Sequence, residues 1–203
     1  VHGEQRGISG HITHHDWAPA PQGKQACYIS HYGQYGSHHL PLKEEYDMPC
    51  QVLDAADKAG KLTAKGQDVK RRLQLIRDDA CDQWGELTPV GARQQQMIAQ
   101  RMVENFPEMF SGRTPVDARS TTVTRCILSM EHFLLQLTRM KPQLKIHHNA
   151  THRDMYFLNQ QDKQLWANRM DSATTAQYNR FARRYDKPDH LMRTLFNDMA
   201  YVK

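Results

Sequence analysis

Two rhythms of apolar and polar residues run through this chain, and each change of rhythm predicts an element. Ala26-Cys27-Tyr28-Ile29-Ser30 is a short, mostly apolar run that leads into His31-Tyr32-Gly33-Gln34-Tyr35-Gly36-Ser37. That combination predicts a buried strand ending in a glycine-containing loop, a place where site residues often sit. From Pro49 to Ala80 the pattern turns helical, with Val69, Leu73, Ile76 and Ala80 at spacings of four and three; Gly60 and Gly66 are expected to break it into two helices. Thr88-Pro89 opens the next helix, since a threonine caps free N–H groups and a proline at the first position sacrifices no bond. Its apolar stripe is Ile98, Met102, Phe106 and Met109, and Pro107 ends it near Asn105 or Phe106.

Pro115 to Arg119 predicts a second short strand. Ser120-Thr121-Thr122 then leads into the clearest helical face in the chain, made by Val123, Ile127, Met130, Leu134 and Leu137. Leu144-Lys145-Ile146-His147 alternates as a third strand. Strand, helices, strand, helix, strand is the order of an α/β fold: a layered sheet with parallel pairing, flanked by helices. Residues 1–25, rich in glycine and proline among polar residues, read as an extended N-terminal arm, and 26–155 as the α/β core. Residues 156–203 are polar and helix-prone through Tyr178, Phe181, Leu191, Leu195, Phe196 and Met199, and read as the start of a helical cap or insertion.

Composition changes this picture little. With 203 residues and 39% hydrophobic content the chain can bury one sizeable core. The 27 Lys and Arg exceed the 22 Asp and Glu by five, a mild attraction for anions that selects no partner class. No apolar run reaches the length of a membrane span. Cys27, Cys50, Cys81 and Cys126 form no C-x-x-C pair, which excludes a zinc ribbon or a thioredoxin-type motif. Buried free thiols are expected at Cys27 and Cys126, with one or two disulfides possible in an exported protein.

Three segments carry a family resemblance. Tyr28 to Leu40 looks like a first strand running into an RHGxRxP loop. Gly85-Glu86-Leu87-Thr88-Pro89-Val90-Gly91 is similar to a G-x-L-T-x-x-G helix start, and Val116 to Ser129 to a second arginine segment. Together they resemble the N-terminal half of the histidine acid phosphatases, the branch of the histidine phosphatases related to phytases and multiple inositol polyphosphate phosphatases. The resemblance implies hydrolysis of phosphate monoesters through a phosphohistidine, with no metal or cofactor, in a periplasmic or secreted protein. It implies a phosphorylated small molecule as partner, such as an inositol phosphate; from the residues themselves, neither nucleic acid nor membrane is expected as a partner. Spread phosphoryl charge demands fixed, forked donors, and the attacking nitrogen must lie in line with the leaving oxygen.

The loop departs from the family pattern where chemistry is concentrated. Gln34 stands at the first arginine, Tyr35 at the nucleophilic histidine and His38 at the second arginine, whereas Gly36 and Ser37 match. Arg125 matches the third pocket arginine, and Arg119 lies six residues earlier at the end of its strand. A phenol is a poor nucleophile when protonated and without a base. The family's second catalytic histidine, in an HD, HE or HAE motif of the C-terminal half, has its sole match in His15-Asp16, before the first strand. The expected protein is therefore an inactive or impaired relative that keeps Arg125, Arg119, Gln34 and His38 as phosphate contacts around Tyr35. The alternatives are a working phosphatase in its full-length, intact-motif form and a non-catalytic module that binds phosphorylated ligands.

Other residues invite other chemistry. His11 with His15, and His148 with His152, have the i, i+4 spacing of paired metal ligands, but neither stretch reads as a helix, so hydrogen-bonded or solvated histidines are expected. Lys70-Arg71-Arg72 and Arg183-Arg184 read as solvated helix faces rather than as a nucleic-acid surface.

Overall fold

The computed structural model describes residues 21–159, 162–169 and 171–202, so all but the last five residues of the expected arm, and the pair His11 and His15, lie outside the described residues. The helices are α1 Glu44–Lys58, α2 Ala64–Asp79, α3 Pro89–Asn105, α4 Thr124–Met140, α5 Met155–Leu158, α6 Lys163–Arg169, α7 Ser172–Tyr185, α8 Asp189–Leu195 and α9 Met199–Val202; the strands are β1 Pro115–Ser120 and β2 Lys145–Ala150. The fold is mixed α/β with a small parallel sheet. Two compact units divide the chain, one containing residues up to 37 together with 87–150, the other 38–86 together with the stretch from 151 onward. Helices α1 and α2 thus group with the C-terminal helices and not with the strands.

In the first unit, β1, α4 and β2 form a strand-helix-strand motif in which Val116 pairs with Ile146 and Ser120 with Ala150. Alternation sorts the strand faces: Val116, Ala118 and Ile146 pack on the core, while Asp117 and Arg119 are exposed on the other side of β1. The core is Ala99, Val103, Phe110, Leu134 and Leu137, with Met102, Phe106, Met109 and Met130 against it. The fully buried line of α3 is therefore Gly91, Gln95, Ala99 and Val103, one position round the helix from the expected stripe, because small residues let α3 lie close to its neighbours. Thr88 caps α3 by accepting the Gly91 N–H at 3.1 Å, Pro89 takes the first turn, and the helix stops at Asn105 before Pro107.

The expected strand over 26–30 is not formed. These residues are irregular, and Cys27 and Tyr28 are exposed while Ile29 alone packs on the core. An apolar run satisfies burial at one position here, but a strand also needs a neighbour for its backbone groups. The expected buried thiol at Cys27 is corrected with it. All four cysteines are free, and the buried one is Cys50.

In the second unit, Leu53, Ala56, Leu62 and Phe196 are buried together, supported by Val69, Leu73, Met192, Leu195 and Val202. Helix α1 begins at Glu44, ahead of the expected Pro49, because Glu44, Glu45 and Asp47 favour the first turn and a proline early in a helix forfeits little bonding. Gly60, at φ +67°, ends α1 as expected. Gly66 does not break a helix. It lies in the first turn of α2, where Thr63 accepts its N–H at 3.0 Å, and a Cβ there would come within 3.1 Å of the Leu195 carbonyl carbon. The Thr63 hydroxyl also donates to the Thr194 carbonyl at 2.6 Å, and Leu62 bridges to Phe196 in antiparallel fashion. Ile76, expected on the apolar face of α2, is exposed.

Candidate functional site

The loop around Tyr35 is seated on α3 and α4 of the first unit by polar clamps from both. Gln95 Nε2 donates to the Gln34 carbonyl at 3.2 Å. The Gly36 N–H donates to Ser129 Oγ at 3.1 Å, and that hydroxyl in turn donates to the Arg125 carbonyl at 2.7 Å. Gln94 Oε1 accepts from both the Ser37 N–H at 2.8 Å and the Ser37 hydroxyl at 2.9 Å. The Ser37 carbonyl receives the Thr88 N–H and the Thr88 hydroxyl, each at 2.9 Å. Such density of bonds holds only if the backbones touch, and two glycines allow it. A Cβ on Gly91 would fall 2.8 Å from Ser37 N and 2.7 Å from Leu87 Cδ1, and a Cβ on Gly36 would fall 2.6 Å from the Gly91 Cα.

Arg125 stands in the first turn of α4, just beyond the end of β1. Its guanidinium carbon lies 4.7 Å from the centroid of the half-buried Tyr35 ring, a cation–π contact. Its Nε is buried without a hydrogen-bond partner, and so is Thr121 Oγ1, four positions earlier in the segment between β1 and α4. The N-cap position of α4 is Val123, whose side chain supplies no capping bond. Four features therefore share this end of the strand-helix-strand motif: an arginine, a buried hydroxyl, the positive end of a helix dipole and an aromatic face. A buried donor left unpaired costs about 1–3 kcal/mol, which an acceptor bound there would recover. An anion is the acceptor that also answers the guanidinium charge and the helix N-terminus.

The other expected contacts are placed as follows. Gln34 is exposed and takes part through its carbonyl. Arg119 is engaged with Asp117 at 3.0 Å on the solvent face of β1, where strand alternation turns it away from the core that Ala118 and Ser120 face. His38 belongs to the second unit, its Nδ1 2.5 Å from the His39 carbonyl oxygen. The structure thus brings Tyr35 and Arg125 together, and ties Arg119 to a neighbouring carboxylate instead.

Sequence reasoning missed Gln94 and Gln95, the clamps on the loop. A signal for Gln95 existed: it interrupts the small and apolar line Gly91, Ala99, Val103 at helical spacing and is itself buried, a position that calls for a specific partner. His31 was also unassigned. It stacks on Phe133 with centroids 5.5 Å apart and planes 10° apart, and burial of the ring lowers its pKa from the usual imidazole value.

Among the described residues no group of three or more His, Cys, Asp or Glu could hold a metal ion. His148 is paired with Glu131 at 2.8 Å. Lys70 bonds Asp54 and Asp57, and Arg71 and Arg72 share Asp68, so that basic run is a solvated, internally paired face. No helix among the described residues is long and apolar enough to cross a membrane. No protein-family model matches the chain, and no curated protein matches it.

Proposed function

We propose that this chain is a histidine acid phosphatase-like scaffold, of the layered α/β kind, that binds a phosphorylated small molecule at Arg125 and does not turn it over at a useful rate. The observation that supports this reading is the buried, unpartnered Nε of Arg125 in the first turn of α4, with Thr121 Oγ1 likewise buried and unpartnered four positions earlier and no side-chain cap at the start of the helix. A phosphoryl group has the oxygens to accept from all three, and its negative charge is met by the guanidinium and the helix end.

The family chemistry needs an attacking imidazole nitrogen in line with the leaving oxygen. Here Tyr35 occupies that sequence position, and its ring face lies under the Arg125 guanidinium. In this arrangement Tyr35 positions the arginine and walls the site, and the phosphoryl group is held without a nucleophile. Arg125 and Thr121 are the binding residues of the proposal; Ser129, Gln94 and Gln95 hold the loop that carries Tyr35.

Isothermal titration with orthophosphate and with inositol hexakisphosphate tests it, alongside a p-nitrophenyl phosphate turnover assay. Saturable binding that weakens with salt, is lost in Arg125→Ala and occurs without turnover is the expected result. A folded chain that binds neither ligand sinks the proposal, and turnover abolished by Tyr35→Phe would replace it with an active phosphatase.

A further inference from the structure

Helix α7 presents a face that the proposed phosphate site does not use. Tyr178, Phe181 and Tyr185 are 68%, 61% and 60% exposed. At spacings of three and four they fall within roughly 60° of one another around the helix. Phe181 and Tyr185 already stack on each other, with centroids 4.5 Å apart. Arg180, Arg183 and Arg184 occupy the remaining arc, and no acidic residue lies inside Ser172–Tyr185; the flanking acids are the cap residues Asp171 and Asp186. Between residues 163 and 193 seven Lys and Arg face three Asp, a local surplus of four. Helix α7 is thus a locally basic amphipathic helix with an aromatic side.

We propose that α7 docks this unit onto a lipid bilayer bearing anionic headgroups, its aromatic side in the interfacial layer and its arginines against the phosphates. Aromatic rings settle at the lipid–water interface because the ring body is apolar and its rim polar, and a basic opposite face draws the helix to acidic lipid. A single-stranded nucleic acid is disfavoured as occupant. Base stacking and phosphate contact along one strand need rings and cations interleaved in series, and here only Tyr185 has an arginine over it, Arg184 at 5.5 Å, while Arg180 and Arg183 fall on the arc away from Tyr178 and Phe181. The inference is independent of the phosphate-site reading.

The test is co-sedimentation of the full chain with vesicles of phosphatidylcholine alone and of phosphatidylcholine with phosphatidylserine in equal parts. Binding to the acidic vesicles only is expected, weakening with salt. Arg180→Gln, Arg183→Gln and Arg184→Gln should each weaken it about fivefold, the usual worth of a cation near such a surface. Phe181→Ala with Tyr185→Ala should abolish it while circular dichroism stays unchanged, both side chains being exposed. No sedimentation of a folded chain, or equal sedimentation with neutral vesicles, overturns the proposal. So does concentration-dependent dimerisation, or binding of a single-stranded oligonucleotide, that the Phe181→Ala/Tyr185→Ala variant removes.

Discussion

Replacing Gly91 with alanine perturbs the junction between the Tyr35 loop and α3 with a single methyl group. That methyl would fall inside van der Waals range of the Ser37 backbone nitrogen, 2.8 Å away, and of Leu87 Cδ1, 2.7 Å away, with the Ser37 carbonyl oxygen closer still. Leu87 can turn aside, but Ser37 cannot yield easily. Its carbonyl is fixed by two bonds from Thr88, and its N–H and hydroxyl by Gln94. Either the overlap remains, at about 1–3 kcal/mol for one extra methyl in a packed site, or the loop shifts and forfeits bonds worth roughly 1 kcal/mol each. Both routes predict a loss near 2 kcal/mol, which for a chain of this length lowers the melting temperature by about 4–8 °C. Thermal and urea melts followed by circular dichroism measure it. Gly112→Ala is the comparison, since that residue has φ +58° but open space around its missing Cβ; only the left-handed backbone then costs, about 1–2 kcal/mol. A Gly91→Ala protein as stable as the parent, with phosphate affinity also unchanged, would refute the seating of the loop on α3.

Further outcomes follow from the same structure. Leu137→Ala, at the centre of the first unit's core, should cost about 2–5 kcal/mol in urea unfolding. Thr88→Ala removes a helix cap and a bond to the Ser37 carbonyl, and a loss of about 1–2 kcal/mol is expected. His31 has a pKa lowered by burial against Phe133, so the unfolded chain binds a proton more readily than the folded one. Native stability should therefore fall as pH drops below the usual imidazole value of about 6.5, levelling once the folded ring also titrates. In Phe133→Ala, NMR should show the His31 pKa moving up towards that value. Asp198 is depressed by its bond to Lys61, and Asp171 by the Thr174 bonds that cap α7. Their contribution is present above the ordinary carboxylate range and fades as pH falls through the depressed values, so Lys61→Met should flatten the acid limb of the stability profile.

What could be read in advance divides by the range of the interaction. Thr88-Pro89, Pro107 and Gly60 mark helix ends through their own backbone chemistry, and each does so in the structure. The strands at 115 and 145 and the helix between them rest on periodicity long enough to be unambiguous. Gly66 shows the limit: its role is an approach by the Leu195 backbone, 129 positions away, which no local pattern reports. The run at 26–30 has the composition of a strand, yet pairing depends on a neighbour that composition does not describe. In the candidate site, the position of Arg125 next to Tyr35 lay within reach of motif spacing. The pairing of Arg119 with Asp117 was legible too, since residues two apart share a strand face, but the motif drew attention to the arginine and not to its neighbour. Gln94, Gln95 and the orphaned Thr121 hydroxyl became visible only with the loop docked on its helices.

Titration of the isotopically labelled protein with orthophosphate, followed by proton–nitrogen NMR, addresses the central claim most directly. The account predicts the largest shifts at Arg125 Nε–H and at the backbone amides of Thr124, Arg125 and Cys126, saturating together and absent in Arg125→Ala. Phosphate shifts that spare these groups, or none at all in a folded protein, would contradict it.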